Sequence, residues 1–529
     1  MSPTQRCARI GLLMLGVGAF LVWATHHAEV SFGDGLRAVR QAQRIERGDL
    51  AGGLWRSIDH PLHPLAIAAV HQTLGEGDSP FAWQTAAQVA SALALVLAVV
   101  PLYLLARDLF DDDTTAALAV LLVTAGPVVS DVAVNVLSET TFLLFWAWGL
   151  WAAVRFLRAG SFGWLAPTVG FGALAYLTRP EGLLLHLALV VTLLVLPLSR
   201  GTHILWRRWW AAVGVLVIGP AVLVGPYIAA KGGIGTRPAV ARLIGTVPEA
   251  PPQALERERP LAPGQTVGQT YAIAAGRVVK AVRGAVPLPL WPLAMLGLAV
   301  AGRGANRGQA RAWLLLGVLG AGAFAGLVRL HATGGYCTVR HALIPATILT
   351  LAAAHGLAWV MRAVSFDARR LGLGEGRLTP GPAVWTVVIA TVVAWPLDRG
   401  RAPGLGSFEP YHQAGAWLSA RPKADGRVLD LTDWALFFSG REGDGFAHVL
   451  DAAGRPSTRF LVVRDGHLTG HLHYNEVLRG LVAGREPLAR FPERPVPRQL
   501  QVTVYDLAEP ALEGMAAAPA LTDPERLRR

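Results

Sequence analysis

The sequence predicts an α-helical polytopic membrane protein of about eleven spans, followed by a small α/β domain. Three observations carry that expectation. Of the 529 residues 53% are hydrophobic and 16% charged, and the mean hydropathy of +0.40 is high for a soluble chain of this length. Apolar runs of about 20 residues, the length that crosses the roughly 30 Å hydrocarbon layer, recur along most of the sequence. Near position 405 the pattern changes to short segments typical of a globular domain.

The clearest runs lie near 10–25, 84–106, 139–154, 182–199, 209–229, 311–328 and 342–361. Runs near 115–134, 162–177, 286–302 and 383–397 are shorter or interrupted by Gly and Pro. As helices they satisfy their own backbone polar groups, the condition for residing in lipid. With the N-terminus in the cytoplasm, every inner loop is basic: Arg6 and Arg9, Arg107, Arg155 and Arg158, Arg200, Arg207 and Arg208, Arg303, Arg307 and Arg311, then Arg362, Arg369, Arg370 and Arg377. The expected location is the inner or plasma membrane, with everything after about residue 398 on the extracytoplasmic side. The first run lacks a small-x-small cleavage site and is read as an anchor. The inner arginines account for much of the net charge of +12, so no nucleic-acid partner is expected. Cys7 and Cys337 fall on opposite sides in this topology, which excludes a disulfide between them and leaves no cysteine set for a metal.

Unusual residues concentrate in the outer segments. In 26–83, Asp34 sits between two glycines, then Leu36, Val39 and Ile45 mark an amphipathic helix expected to lie in the membrane interface. The stretch HPLHP (60–64) follows, with Pro61 and Pro64 placed to start a new helix and the imidazoles of His60 and His63 expected near the water boundary. The loop 230–285 starts Pro-rich and turns helical at 269–286, where Arg277, Lys280 and Arg283 form a basic stripe. Asp131, near the end of an apolar run, needs a cavity or a partner.

The domain expectation is a membrane unit over 1–400, an extracytoplasmic α/β unit over 401–510 and a disordered tail over 511–529. EPYHQAGAWLSA reads as helix, GRVLDLT, STRFLVVRD and RQLQVTVYDL as strands of a mixed sheet, and GREGDG (440–445) as a loop. No G-x-G-x-x-G or P-loop stands in this region, so a nucleotide is not expected.

Four stretches belong together by order and side: the 34–64 segment, LSETTFLLF (137–145), ALAYLTRPEGLLL (173–185) and GGYCTVRHALIP (334–345). The set resembles the polyprenyl-phosphate-sugar-dependent glycosyltransferases of the GT-C superfamily, in particular the protein O-mannosyltransferases and aminoarabinose transferases. The last stretch is similar to that family's Tyr-x-x-x-Arg-Tyr-x-x-Pro pattern, with Tyr336 and Arg340 in register, His341 in place of the second tyrosine and Pro345 one residue past the pattern's proline. The resemblance covers most of residues 8–400. It implies a GT-C-like helical bundle, a polyprenyl-phosphate sugar donor, a glycan, lipid or protein acceptor, and inversion at the anomeric carbon. Many members carry a second acid directly after the loop-one aspartate; here Gly35 stands there, so a paired-carboxylate metal site is not indicated and no cofactor is expected.

Such a transfer needs a base near the acceptor hydroxyl and cations on the departing phosphate. Asp34 is the candidate base, its local alternative being an N-cap for the amphipathic helix. Arg179 and Glu181, separated by Pro180, are expected to project toward the interface, with Arg179 or Arg340 on the phosphate; mutual pairing or helix-end anchoring are the alternatives. Ser138 and Glu139 together suit a helix start, Ser as cap and Glu on the dipole. His60, Glu139, Glu181, Tyr336 and His341 complete the candidate substrate contacts. A flippase for a lipid-linked sugar and a non-catalytic scaffold are the competing classes; the first lacks the related halves with matched broken helices expected of transporters.

Overall fold

The structure is a computed structural model and describes residues 2–26, 33–75, 77–196, 206–234, 238–245, 266–304, 306–334, 337–367, 409–422, 426–445, 449–469, 473–494 and 500–508. The expected run at 383–397 and the terminal segment 511–529 lie outside the described residues.

The chain opens with α1 (Pro3–His26), α2 (Gly33–Glu46), α3 (Leu62–Leu74) and α4 (Pro80–Phe110). Pro61 stands at the N-cap of α3, and Ser79 caps α4 by accepting from the Ala82 N–H. Next come α5 (Asp113–Thr124) and α6 (Pro127–Val134), bent by 54° where Gly126 and Pro127 interrupt the ladder. They are followed by α7 (Glu139–Ala159), α8 (Leu165–Tyr176), α9 (Leu183–Val195), α10 (Trp206–Ala230) and α11 (Pro238–Ile244). Then α12 (Val267–Ala285) and α13 (Leu290–Gly304) meet at 98° across a segment holding Pro287 and Pro289, before α14 (Arg307–Gly334) and α15 (Leu343–Asp367).

Among the described residues six helices are long and apolar enough to cross a membrane, or eight if each bent pair counts as one span. This is fewer than the eleven runs of the sequence. The run at 162–177 yields a helix of 12 residues and that at 182–199 one of 13, below the about 20 that a crossing requires. Leu12, Leu15, Leu97, Val217, Ile218, Val222 and Leu298 stay exposed on α1, α4, α10 and α13, as apolar side chains facing lipid do. Inside, α13 and α15 approach backbone to backbone. A Cβ at Gly297 would collide with the Ala352 carbonyl and one at Gly356 with the Leu293 carbonyl, and in lipid this close approach gains dispersion contact where no hydrophobic drive exists.

One end of the bundle collects four of the arginines expected on the inner side. Arg6 and Arg107 pair with Asp113 at 3.0 and 3.3 Å, Arg155 with Asp108 at 3.4 Å and Arg158 with Asp111 at 3.0 Å. Cys7 and Cys337 are free.

The C-terminal unit comprises α16 (Glu409–Ser419), β1 (Arg427–Asp430), α17 (Trp434–Ser439), β2 (Gly443–Asp444), α18 (Val449–Ala453), β3 (Thr458–Arg464), α19 (Asp465–Thr469), α20 (His473–Val482), β4 (Pro487–Phe491) and β5 (Val502–Asp506). Its sheet runs β2-β1-β3-β5-β4, with β1 parallel to β2 and β3, and β5 antiparallel to β3 and β4. A mixed sheet was expected, but β2 falls inside GREGDG, read as a loop, and β4 was not anticipated. This unit rests on the first outer segment: Arg40 on α2 reaches Asp433 at 2.9 Å, and one core continues from Leu36, Val39, Ile67 and Trp83 into Tyr411, Trp434 and Phe460. The apolar side of α2 is therefore covered by protein rather than lying in the membrane interface, because the C-terminal unit supplies the apolar surface that lipid would otherwise provide.

Candidate active site

Four segments meet at the bundle end opposite the Arg6–Asp113 cluster: the entry to α3, the start of α7, the turn between α8 and α9, and the turn before α15. The first is fixed by backbone. The Leu62 N–H donates to the Leu177 carbonyl at 3.0 Å, which lays HPLHP against the end of α8. His63, fully enclosed, contacts Thr141 Oγ1 through Nδ1 at 2.9 Å and the Val136 carbonyl through Nε2 at 3.4 Å. Burial lowers its pKa to about 4, so the ring is neutral and serves as a bolt between α3 and α7. His60 is buried too, edge-on to Tyr176 with 5.0 Å between ring centres and 5.9 Å from Tyr227. Neither imidazole lies at the water boundary as expected; the partners that enclose them come from the α6–α7 connection, α7, α8 and α10.

Lys231, just past α10, carries no local sequence signal that singles it out. Its Nζ donates to the carbonyls of Ile58 and Asp59 at 3.1 and 3.2 Å and to Tyr227 Oη at 3.0 Å. Those three contacts match the three donors of an ammonium, so Lys231 ties the HPLHP segment to α10. Arg37 pairs with Asp59 at 3.2 Å from the other side. Asp34 lies one helical turn before Arg37 in the first turn of α2, and its side chain is outside the described residues.

The centre of the site is a buried guanidinium. Arg179 Nη1 is 2.6 Å from Glu139 Oε1 and its Nη2 donates to Glu181 Oε1 at 2.8 Å. The Arg179 and Glu139 side chains are only 12% and 2% exposed. Burial opposes the charge on Arg179, yet the two carboxylates more than offset it and raise its pKa. Three features build this clamp. Pro180 ends the α8 segment, Gly182 lets the turn fold back where a Cβ would strike the Ala175–Tyr176 backbone, and α7 begins at Glu139 against the same turn. Ser138 makes no side-chain cap, contrary to expectation, because its backbone is helical (φ −62°, ψ −11°) rather than extended, the conformation from which a cap side chain reaches the next N–H groups. Arg179 is likewise turned inward rather than toward the interface. The pull of a second-helix carboxylate outweighs snorkelling.

The fourth segment is a 3₁₀ turn over Val339–Ala342. His341 Nδ1 accepts from the Thr338 N–H at 3.1 Å and meets Thr338 Oγ1 at 2.8 Å, while its ring lies within electrostatic reach of Arg179, Arg340, Glu181 and Glu139. The structure thus gathers Glu139, Arg179, Glu181, Arg340 and His341, with His60 alongside through Tyr176. Tyr336 lies outside the described residues. Asp131 is exposed on α6 and accepts from Asn135 Nδ2 at 2.9 Å, a local partner rather than a cavity. Among the described residues no three His, Cys, Asp or Glu side chains gather as a metal set.

Chemically, the clamp is one cation shared by two carboxylates, so as a unit it carries a net negative charge. It suits hydrogen bonding to hydroxyls better than it suits a phosphate. Arg340, half-buried, directly precedes His341 in the turn before α15.

The profile of the dolichyl-phosphate-mannose-protein mannosyltransferase family matches residues 59–225. Comparison with curated proteins finds no match in sequence. Among solved structures, ArnT from Cupriavidus metallidurans bound to undecaprenyl phosphate superposes with a TM-score of 0.58 at 15% identity, covering 96% of this chain and 100% of that one. The apo form of the same protein gives 0.56 at 16% identity, covering 94% and 98%. This chain has the ArnT-like GT-C fold.

Proposed function

We propose that this multi-pass membrane protein is a glycosyltransferase that moves a sugar from a polyprenyl-phosphate carrier to a hydroxyl of a glycan, lipid or protein on the extracytoplasmic side. The observation that carries the reading is the buried Glu139–Arg179–Glu181 clamp with Arg340 and His341 beside it, at the bundle end where HPLHP docks. The match over 59–225 supports it, since those residues include three of these groups, and so does the fold shared with a protein solved with undecaprenyl phosphate. The opposite end, with Arg6, Arg107, Arg155 and Arg158, faces the cytoplasm by the positive-inside rule.

In the reaction Asp34 takes the acceptor proton, the acceptor oxygen attacks the anomeric carbon, and the bond to the phosphate oxygen breaks on the opposite face with its electron pair leaving on the phosphate. Arg340 neutralises that phosphate. Arg179 does not reach it directly; it fixes Glu139 and presents Glu181, the more exposed carboxylate at 38%, to sugar hydroxyls. His60 and His341 line the donor side.

The test uses purified chain in vesicles with a labelled polyprenyl-phosphate sugar. Label transferred to an acceptor is the expected result; label only carried across the bilayer would make the protein a flippase. Asp34→Asn should preserve insertion and thermal stability and lower turnover by about 10²–10⁴-fold. Near-normal turnover in that variant overturns the role given to Asp34.

A further inference from the structure

The helix α12 is 19 residues long, carries three cations and contains no acid. Its start is fixed by a capping box, with the Thr266 side chain accepting from the Gln269 N–H and Gln269 returning the bond to the Thr266 N–H. Ala274, Val278, Ala281, Val282 and Ala285 are buried on one side, against α14 and the turn that holds Arg340. Tyr271 additionally bonds Arg329 of α14. The helix is therefore anchored by its apolar side and cannot turn over.

Arg277, Lys280 and Arg283 are exposed on the side away from that packing. At 3.6 residues per turn they fall within about a third of the circumference. Among the described residues no carboxylate pairs with any of them. Like charges at i and i+3 repel, so the row is unfavourable unless anions meet it.

The fold also says at what level the row lies. α12 meets α13 at 98°, so with α13 standing across the apolar layer α12 lies along its surface. Trp291 sits one residue into α13, with its Nε1 donating to the Val286 carbonyl at 3.3 Å, the half-wet position an indole takes at the headgroup boundary. Ile273, Val279 and Leu288 are 47%, 51% and 57% exposed next to the cations, which is costly in water and favourable where acyl chains begin.

We propose that Arg277, Lys280 and Arg283 form a seat for anionic phospholipid headgroups of the bilayer that holds the chain. The lipids bound there would rim the bundle end that carries Arg340, one helix packing away from it. The inference requires no sugar transfer, and its readout is lipid retention, so it can fail while the proposed function stands.

The experiment places the full chain in nanodiscs of phosphatidylcholine with increasing phosphatidylglycerol and weighs the retained lipids by native mass spectrometry. The wild type should retain phosphatidylglycerol in excess of its share, and each of Arg277→Gln, Lys280→Gln and Arg283→Gln should lower that excess about 5-fold. The double variant Arg277→Lys with Arg283→Lys should keep it, and about 1 M salt should remove it. Equal retention of the two lipids by the wild type overturns the seat, as does an excess unchanged by the three Gln variants or lost in the Lys variant.

Discussion

The two ends of the bundle use the same residue types for different purposes. At one end Arg158 and Asp111 pair at 3.0 Å with the carboxylate 53% exposed; at the other Arg179 and Glu139 pair at 2.6 Å with the carboxylate 2% exposed. An exposed pair exchanges water for a partner at little net gain. A buried pair has already lost its water, so each member depends on the other. The Arg158–Asp111 pair can label a side of the membrane without fixing a structure, whereas the Arg179–Glu139 pair holds a geometry. Charge that is costly to bury and retained nevertheless marks the candidate site.

Breaking the buried clamp is the largest effect expected. Arg179→Met leaves the buried Glu139 carboxylate without its counter-charge and should destabilise the protein by about 3–5 kcal/mol. Unfolding in mixed micelles, followed by tryptophan fluorescence, measures it. The comparison sharpens with the double variant Arg179→Met, Glu139→Leu, which removes the orphaned charge along with its partner and should recover most of the loss while leaving transfer abolished. A loss below about 1 kcal/mol for Arg179→Met would place the clamp in the same class as the exposed pairs.

The next effect is set by pH. His63 has a folded pKa of about 4, lowered by burial from an unfolded 6.5. Between those values the unfolded chain binds the proton and the folded one does not, so its contribution is intact above pH 6.5 and is lost as the pH falls toward 4. The loss by pH 4 is about 3 kcal/mol. His63→Asn cannot take up that proton. Stability measured from pH 7 to 4 should therefore fall more steeply in the wild type, and parallel curves would show that the bolt between α3 and α7 does not govern acid sensitivity.

How much of this was legible beforehand follows from the range of the interactions. The order of motifs could be read because Pro61, Pro180 and the apolar runs act locally: proline fixes where a helix starts or stops whatever packs beside it. The mixed sheet was legible from local signals too, the short β-like runs of β1 and β3 and the alternation of β5. The Glu139–Arg179 pair joins residues 40 positions apart and exists only because α7 and α8 run antiparallel from the same turn. Lys231 meets Asp59 across 172 positions, and nothing near either residue announces it. The helix α2 misled in an instructive way: an amphipathic face reports that something apolar covers it, not whether lipid or a C-terminal unit does. Strand β2, two residues long within GREGDG, is too short for any periodicity to register.

The smallest effect closes the comparison from its exposed side. Arg158→Ala removes a guanidinium that donates to both Asp111 oxygens, at 3.0 and 3.3 Å, at the cytoplasmic end of the proposed topology. The partner is half in water and regains hydration when the pair is lost, so the cost should be no more than about 1 kcal/mol. Topology is a separate matter. Arg6, Arg107 and Arg155 remain on that side, and the positive-inside rule counts the whole set, so orientation should not change when one cation is removed. Cysteine accessibility at Cys7 in inverted and right-side-out vesicles reads orientation, and micelle unfolding reads stability. A loss of several kcal/mol would mean that the exposed pair is as tightly coupled as the buried one, and the distinction between a sidedness label and a held geometry would fail.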